Sequence, residues 1–282
     1  MAKIAILGVE NSHVYAFLEA FYGENPEGVE IVGIYSEEKE AVDKILEKYD
    51  VPVMENYDSL AGQLDAVVIV ARHGDTHYKY AKPYIPYGIP MFIDKPITCS
   101  EEEAVEFMRE LKAHDVRICG GSICPHAPEV EKLAEIVRST EVFSGNLYCP
   151  ISLNSVYGGF HFYCQHLSEI MLSVFGYDLQ AVNATRRDDT LTFIARYPKF
   201  DVTATYSEHY HKYHITVAEC NDVHSELLTL DGVSSPRELW NLLQGNPSPK
   251  DYDTFIFPVF VHNAILRSVE KNGWEEIKPV KV

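Results

Sequence analysis

A lysine that follows a short apolar segment is the first residue whose position suggests chemistry. Residues 91–93 are apolar and predict a buried strand, and Asp94, Lys95 and Pro96 follow it directly. Ligands of open α/β sheets bind just beyond the carboxyl ends of the strands. Lys95 therefore stands where a catalytic ammonium group or a phosphate-binding cation would act. Taken in isolation, a Lys-Pro pair is more often an ordinary surface lysine at a strand end, so the surrounding sequence decides between these interpretations.

The elements that would position Lys95 alternate between strand and helix over residues 1–121. Near-continuous apolar runs predict strands, and segments with apolar residues on one face predict helices. Such alternation is typical of a doubly wound parallel sheet. The predicted strands are 3–8, 30–36, a short one at 51–54, 66–71, 91–93 and 116–119, and the predicted helices are 13–22, 37–49, one from about 77, and 101–114.

The character of the chain changes after about residue 140. Helices are predicted at 128–138, 160–175 and 253–271, but β-forming segments joined by short turns dominate. Consecutive strands joined in this way favour a mostly antiparallel sheet. We therefore predict an α/β protein in two domains. Residues 1–121 would form a doubly wound parallel sheet, and 122–282 an α+β domain with an open, mostly antiparallel sheet, whose closing helix is free to pack back on the first domain.

The composition narrows the class of protein. The chain has 282 residues, and its net charge of −18 argues against a broad nucleic-acid surface and against binding to anionic membranes. No apolar run approaches the roughly 20 residues that span a bilayer, and the N-terminus does not resemble a signal peptide. The six cysteines form no CxxC pair and are expected to be reduced. These features predict a cytoplasmic protein without a nucleic-acid or membrane partner.

Four segments carry a resemblance to a known family. Asp94-Lys95-Pro96 is similar to a Glu-Lys-Pro motif, and His77 to a histidine that follows the fourth strand of that family. Gly158-Gly159 with His166, Glu169 and Gly176 is similar to a GG…H-x-x-D…G helix, and 264–274 to a closing AIxxSxxxGxW segment. In this order and spacing, from Ile4 to Trp274, they resemble the glucose–fructose oxidoreductase/inositol dehydrogenase (Gfo/Idh/MocA) family.

The resemblance implies an N-terminal Rossmann domain, NAD(P)-dependent chemistry on sugars, cyclitols or similar polyols, and a homo-oligomer assembled through the C-terminal sheet. It implies that His166 takes the hydroxyl proton and that Lys95 polarises the oxygen, so both are catalytic. Glu169 is expected to orient His166, and the predicted substrate-binding residues are His161, Tyr163 and Glu169. The predicted cofactor-binding residues are Gly8, Asn11, Ser12, His13, Ser36, Glu37, Ala71, Arg72, His73, His77, Asp94, Lys95 and Pro96.

The first βα turn departs from the family's G-x-G-x-x-G pattern. It reads Gly8-Val9-Glu10-Asn11-Ser12-His13, so only the first glycine is present, and Glu10 adds bulk and negative charge beside the expected diphosphate. Either Asn11, Ser12 and the helix N-terminus supply the donors, or the dinucleotide binds poorly. The acids that follow Ser36 weakly favour NAD over NADP, although they also suit the first turn of a helix.

A second departure lies four residues before His166, where Phe162 replaces the family's aspartate. The neighbouring His161 is rotated by about 100° around the helix and does not simply replace the carboxylate. Two alternatives to a dehydrogenase therefore stay open. The chain could be an inactive family member that binds a ligand or nucleotide, or the same cleft could hold metal-assisted hydrolase or lyase chemistry.

Three histidines in a tyrosine-rich stretch raise the question of a metal. On a strand, His209 and His211 would share a face, with His214 beyond them. Lys212 and the lack of a well-spaced third ligand argue against a metal at this place. We therefore assign no metal ligand from the sequence, and we favour a substrate cleft or a subunit interface for these histidines.

Overall fold

The structure, a computed structural model, describes residues 1–23, 28–230 and 233–282. Its first sheet contains the strands β1 (Ala2–Leu7), β2 (Val29–Tyr35), β3 (Ala66–Ile69), β4 (Met91–Asp94) and β5 (Ile118–Gly121). The order is β2-β1-β3-β4-β5, and every neighbouring pair is parallel. The carboxyl ends of all five strands therefore lie at one edge of the sheet, and Lys95 follows the end of β4.

Four helices connect these strands and cover both faces of the sheet. They are α1 (Val14–Phe21), α2 (Lys39–Leu46), α3 (Asp75–Ala81) and α4 (Glu101–Ala113). The start of α4 is well defined because the Ser100 side chain accepts a hydrogen bond from the Glu103 amide, and acidic residues fill the first turn. The predicted doubly wound parallel sheet is thus confirmed.

The second sheet contains seven strands. They are β6 (Val142–Pro150), β7 (Ala181–Arg187), β8 (Thr190–Arg196), β9 (Asp201–Ser207), β10 (His214–Glu219), β11 (Val223–Leu227) and β12 (Glu275–Glu276). Their order is β11-β10-β6-β9-β8-β7-β12, and all pairs are antiparallel except β6 with β9. The prediction of a mostly antiparallel sheet is confirmed.

One face of the second sheet is covered by helices, namely α5 (Pro128–Ser139), α6 (His161–Phe175) and α8 (Tyr252–Lys271), and α7 (Ser235–Leu243) lies apart from them. Helix α6 approaches the sheet closely where β6 has Gly145. A Cβ atom at this glycine would lie 2.2 Å from Cζ of Phe175, so only glycine leaves room for the ring. This close packing fixes the distance between α6 and the second sheet.

Some predicted boundaries were wrong for identifiable reasons. The strand predicted at 51–54 is a single bridge between Ile34 and Val53, because Pro52 has no amide hydrogen to continue a ladder. The strand predicted at 116–119 is shifted to Ile118–Gly121, and the helix predicted at 37–49 is shortened to Lys39–Leu46. The sequence analysis assigned no element to residues 235–243, where α7 forms with Pro236 in its first turn.

Helix α7 comes from the second half of the chain but packs on the first sheet. Its buried residues Leu239 and Leu242 join the apolar cluster that includes Ile4 and Ile6 of β1. On the other face of that sheet, a second cluster runs from Ile93 of β4 into the second sheet. The two sheets therefore share buried side chains, and the domain division at residue 121 stays a prediction.

Within the described ranges, none of the helices combines the length and the apolar character that crossing a membrane requires.

Candidate active site

Lys95 is almost inaccessible to solvent, with 2% of its surface exposed. Its Nζ donates a hydrogen bond to the carbonyl oxygen of Phe162 at 3.4 Å. The same ammonium group lies over two aromatic rings, 4.7 Å from the centroid of Phe162 and 4.9 Å from that of Tyr163. Burial lowers the pKa of Lys95, and the neighbouring Asp94 opposes this effect. Lys95 thus lies out of solvent against two aromatic rings, with the Asp94 carboxylate favouring its charged form.

His166 lies on α6 and is also buried, with 4% of its surface exposed. Its Nδ1 is 2.8 Å from Oγ of Ser122, the residue that follows β5. Sγ of Cys124 lies 3.5 Å from the same nitrogen. Burial holds the pKa of His166 well below its usual value, and the positive charges of Lys95 and His13 lower it further. The imidazole is therefore neutral near pH 7.

The Tyr163 ring joins Lys95 to His166. The ring centroid is 4.9 Å from Nζ of Lys95 and 4.9 Å from the centroid of the His166 ring. Tyr213 completes this cover, since its ring centroid lies 5.8 Å from that of His166. The two residues predicted to be catalytic, and the predicted substrate contact Tyr163, therefore converge on one place under an aromatic cover.

Asp94 connects this place to the first βα turn. Its Oδ2 accepts hydrogen bonds from Nδ2 of Asn11 at 3.0 Å and pairs with Nδ1 of His13 at 2.7 Å. Burial raises the pKa of Asp94, but the charges of His13 and Lys95 more than offset this, so the pKa is lowered. The turn residues that depart from the glycine pattern are thus used to hold the carboxylate beside Lys95. Asn11 also accepts a hydrogen bond from the His13 amide, whereas α1 itself begins only at Val14.

Glu10 lies across the carboxyl ends of β1, β2 and β3. One carboxylate oxygen accepts a hydrogen bond from Oγ of Ser36 at 2.6 Å, and the other accepts one from the Arg72 amide at 3.0 Å. Both donors stand where a dinucleotide would present its ribose and phosphate oxygens. The Glu10 carboxylate therefore occupies the position of an anionic ligand.

The strand ends fit a dinucleotide only in part while Glu10 holds this position. A cavity of about 180 Å³ beside it is lined by Ser36, Glu37, Glu38 and Thr76, among others. Its acids and hydroxyls suit a ribose, and Gly8 with φ of +84° brings β1 against Ala71 without a side chain between them. Rotation of the Glu10 side chain would free the Ser36 hydroxyl and the Arg72 amide for a ligand. The residues thus fit a ribose and diphosphate once Glu10 is displaced.

The segment after β3 carries three of the residues that were predicted to bind the cofactor, namely Arg72, His73 and His77. Arg72 donates to the Tyr157 hydroxyl at 2.6 Å and lies 3.8 Å from Glu38. His73 accepts a hydrogen bond from the Asp75 amide. His77, predicted as a cofactor contact, is fully buried with Nε2 2.8 Å from the Ala71 carbonyl. The ring thus holds the backbone of the loop, and its contact with a cofactor stays a prediction.

Glu169 does not orient His166, which corrects the prediction made for it. Its Oε1 accepts hydrogen bonds from the Ser122 amide at 2.8 Å and from Nε2 of Gln165 at 2.6 Å. Its other oxygen pairs with Nζ of Lys250, so the carboxylate is fully engaged and 1% exposed. Since Ser122 contacts His166 directly, Glu169 acts on the imidazole only through the backbone that carries Ser122.

The remaining predicted residues lie around this site in several ways. Ser12 is exposed beside the turn, Glu37 pairs with Lys79 at 2.8 Å, and the peptide bond between Lys95 and Pro96 is cis. His161 lies one turn before Gln165 on α6 and faces α8 rather than Lys95, with its ring centroid 6.2 Å from that of His262. This placement does not support the predicted substrate contact.

The three histidines of the tyrosine-rich stretch do not assemble within the described residues. His209 pairs with Asp189 at 3.0 Å, and His214 stacks on Tyr148. His209 and His214 thus have different partners, and the argument against a metal there stays a prediction from the sequence.

The comparison with family models identifies the N-terminal part of the chain. Residues 2–121 match the model GFO_IDH_MocA, described as an oxidoreductase family with an NAD-binding Rossmann fold. The match covers 120 of the 282 residues, from β1 to the end of β5. The comparison with curated proteins gives no match.

Solved structures share the fold over the whole chain. A putative myo-inositol dehydrogenase from Sinorhizobium meliloti is 15% identical with a TM-score of 0.82, covering 99% of this chain and 100% of that chain. A myo-inositol 2-dehydrogenase from Lactobacillus plantarum is 13% identical with a TM-score of 0.81, covering 98% and 99%. GenD2 from gentamicin A biosynthesis, solved in complex with NAD, is 15% identical with a TM-score of 0.83, covering 98% and 96%. At these identities the likeness extends to the fold alone.

Several residues at this site escaped the sequence analysis. Ser122, Cys124, Gln165, Tyr213 and Lys250 all contact the site or the carboxylate beneath it. Ser122 alone had a signal, because it follows Gly120-Gly121 at the carboxyl end of a strand. The others lie on elements that only the tertiary fold brings to Lys95.

Proposed function

We propose that this chain is an NAD(P)-dependent oxidoreductase that transfers a hydride to or from a hydroxyl-bearing small molecule, such as a sugar, cyclitol or related polyol. The observation that supports it most directly is the convergence of Lys95 and His166 on the Tyr163 ring at the carboxyl end of β4. That edge of an open α/β sheet is where ligands bind. The match of residues 2–121 to the model of an NAD-binding oxidoreductase family agrees with it.

The two residues suit the two halves of alcohol oxidation. In the tautomer that carries its proton on Nδ1, His166 donates to Ser122 Oγ and keeps the Nε2 lone pair for the substrate's hydroxyl proton. The buried ammonium of Lys95 stabilises negative charge that develops on the substrate oxygen, since burial strengthens electrostatic attraction. Both groups are nearly inaccessible, so a substrate has to displace the cover formed by Tyr163 and Tyr213.

A bound nicotinamide would supply the hydride acceptor or donor for this reaction. The chain would hold the dinucleotide with the Ser36 hydroxyl and the Arg72 amide after Glu10 moves away. The acids at the end of β2, Glu37 and Glu38, suit a ribose 2′-hydroxyl and repel a 2′-phosphate, so we propose NAD rather than NADP.

A second candidate is a family member that binds a ligand or nucleotide without hydride chemistry. The observation that favours it is the Glu10 carboxylate, which already bonds the donors at the strand ends. Phe162 at the position of the family's aspartate points the same way, because its ring covers Lys95 instead of supplying a carboxylate.

Titration with NADH, followed by cofactor fluorescence and run in parallel with NADPH, separates the two candidates. Saturable NADH binding at micromolar concentration, followed by turnover of a polyol in a substrate screen, is the expected result. Lys95→Ala and His166→Ala should abolish turnover while NADH still binds, and Lys199→Ala, an exposed lysine on the turn after β8, should retain it. Failure of both nucleotides to bind at high concentration would refute the oxidoreductase.

We also propose a homo-oligomer that covers the outer face of the second sheet. Tyr148 on β6 and Val223 and Leu227 on β11 are large apolar residues that are 42%, 60% and 41% exposed there. Such a face is typical of an interface between copies. Light scattering coupled to gel filtration should report more than one subunit, and a monomer at micromolar concentration would rule the assembly out.

A cytoplasmic location and the absence of nucleic-acid and membrane partners stay predictions from the sequence.

A further inference from the structure

Three potential metal ligands meet between α6 and α8, beneath the N-terminal turn of α6. His161 and Cys164 lie three residues apart on α6, so they share a face of the helix, and His262 approaches them from α8. One ligand atom of each residue lies within 4.8 Å of those of the other two. Cys164 and His262 are completely buried, and His161 is partly buried. This group contains none of the histidines that the sequence analysis weighed for a metal.

Two imidazole nitrogens in this group are buried without a hydrogen-bond partner among the residues that the structure describes. They are Nδ1 of His161 and Nδ1 of His262. An unpaired polar atom in the interior costs about 1–3 kcal/mol of stability, so such atoms usually have a ligand, an ion or a water molecule as partner. Finding two of them beside one cysteine sulfur points to a shared ligand.

Ser168 fixes the tautomer that a metal would need. Its Oγ is 3.1 Å from the Gln165 carbonyl, to which it donates, and 2.6 Å from Nε2 of His262. Because the hydroxyl hydrogen is used for that carbonyl, Oγ accepts from Nε2–H, and the lone pair of His262 lies on Nδ1. Metal-binding histidines characteristically donate their other N–H to an oxygen in this way.

We propose that His161, Cys164 and His262 bind one zinc ion, with water as the fourth ligand. Two imidazoles and one thiolate are a ligand set that Zn²⁺ prefers, and three protein ligands plus water is a common arrangement for it. Ligand atoms around a tetrahedral zinc ion lie about 3.5 Å apart, given Zn–N of about 2.0 Å and Zn–S of about 2.3 Å. The group therefore closes by about 1 Å on binding, and the partly exposed His161 side chain can move to do so.

Zinc binding forms a Zn–S bond at Cys164 and releases its thiol proton to solvent, and it requires no oxidant. The ion would link α6, which carries His166, to α8. A neighbouring group, His73, Asp75 and Cys99, is less suited because it is more exposed and because His73 and Asp75 already accept backbone hydrogen bonds. It serves as the competing location in the test.

The test uses the full chain after treatment with a chelator, in a Cys220→Ser background that removes the exposed thiol. Titration with Co²⁺, a spectroscopic substitute for zinc, should saturate at one equivalent and give a thiolate charge-transfer band that Zn²⁺ abolishes. Cys164→Ser should remove the band, and His262→Gln should weaken binding at least tenfold. Cys149→Ser, a matched buried cysteine on β6, should keep both.

Two further variants test the site if the substitutions at the buried Cys164 or His262 unfold the protein. His161→Gln alters the partly exposed ligand, and Ser168→Ala keeps all three ligands but removes the oxygen that holds His262, so each should weaken Co²⁺ binding about tenfold or more. No saturable binding, or binding without a thiolate band, would overturn the proposal. So would a band that disappears with Cys99→Ser and persists with Cys164→Ser.

Discussion

At the scale of single residues, the site differs from the expected one in where its negative charges lie. Asp94 favours the charged form of the neighbouring Lys95 and is held by Asn11 and His13, which replace part of the glycine-rich turn. Phe162 presents a ring to Lys95 where a carboxylate was expected. Glu10 brings its carboxylate to the strand ends, where it accepts hydrogen bonds from the Ser36 hydroxyl and the Arg72 amide.

Glu10→Gln should increase the affinity for NADH about tenfold, which corresponds to about 1.4 kcal/mol. The substitution removes a negative charge from the place that the diphosphate would occupy, and charge repulsion at a partly buried place is of this size. Fluorescence titration of NADH measures the change. Glu131→Gln on α5, which makes the same change in net charge elsewhere, should have no effect. Equal gains in both variants would mean that only the overall charge matters.

At the scale of secondary-structure elements, α6 carries much of the site and is anchored in its middle and at its C-terminal end. Its carboxylate Glu169 joins the backbone after β5 to Lys250, which precedes α8. Gly121 permits this, because a Cβ there would lie 2.6 Å from the Glu169 carboxylate. At its C-terminal end, Phe175 fits over Gly145 of β6.

Lys250→Met should lower the free energy of unfolding by about 3–5 kcal/mol, since it leaves the buried Glu169 carboxylate without its cation. Chemical denaturation measures it. Adding Glu169→Gln should restore much of the loss, because the unpaired charge is then removed. Lys39→Met breaks an exposed pair with Asp43 and should cost less than about 1 kcal/mol. Similar losses in the two lysine variants would contradict the buried pair.

Gly145→Ala should destabilise the protein by about 1–3 kcal/mol through overpacking against Phe175. The same denaturation experiment applies. Gly273→Ala is the matched control, because the nearest atom to its added Cβ is 3.9 Å away, and it should change stability little. If the reason is steric, the shorter side chain in Phe175→Leu should make the alanine less costly. An unchanged cost in the double variant would argue against it.

At the scale of the whole molecule, the two sheets share helices and buried side chains. Helix α7 packs on the first sheet, and α8 contacts both, with Nδ2 of Asn263 donating to the Cys99 carbonyl at 3.1 Å. Buried histidines lie along this shared interior, including His77 beside β3 and His166 on α6. Burial lowers the pKa of both rings in the folded state.

Stability should therefore fall as the pH drops below about 6.5. Between the lowered folded-state pKa and the unfolded value, the unfolded chain binds more protons, so the free energy of unfolding rises with pH and falls with acid. Each buried histidine contributes a slope of about 1.4 kcal/mol per pH unit. Urea denaturation from pH 6.5 to 5 in the presence of a chelator measures the slope.

The slope should decrease by about 1.4 kcal/mol per pH unit in His77→Gln. His209→Gln is the control, because the His209 ring is exposed to solvent in the folded chain and in the unfolded chain alike. The slope of this variant should equal that of the wild type. A slope that is the same in His77→Gln and in the wild type would mean that His77 does not contribute.

The sequence alone determined the alternating strands and helices, the antiparallel second half, and the positions of Lys95 and His166. These features depend on the local periodicity of apolar residues and on the residues at which strands and helices end. Both can be recognised in the sequence. It also raised the right question at Glu10 and Phe162, because each breaks a pattern of fixed spacing.

Only the tertiary structure decided which partners these residues have. The Arg72 amide that Glu10 bonds is 62 residues away, Ser122 is 44 residues from His166, and Ser168 is 94 from His262. Such contacts depend on how distant helices and strands pack against each other, and no local sequence pattern encodes that packing. Glu169 is the clearest example. Its spacing from His166 suggested that the two side chains interact on the same helix. A buried carboxylate needs a cation, however, and Lys250 supplies it from the segment before α8.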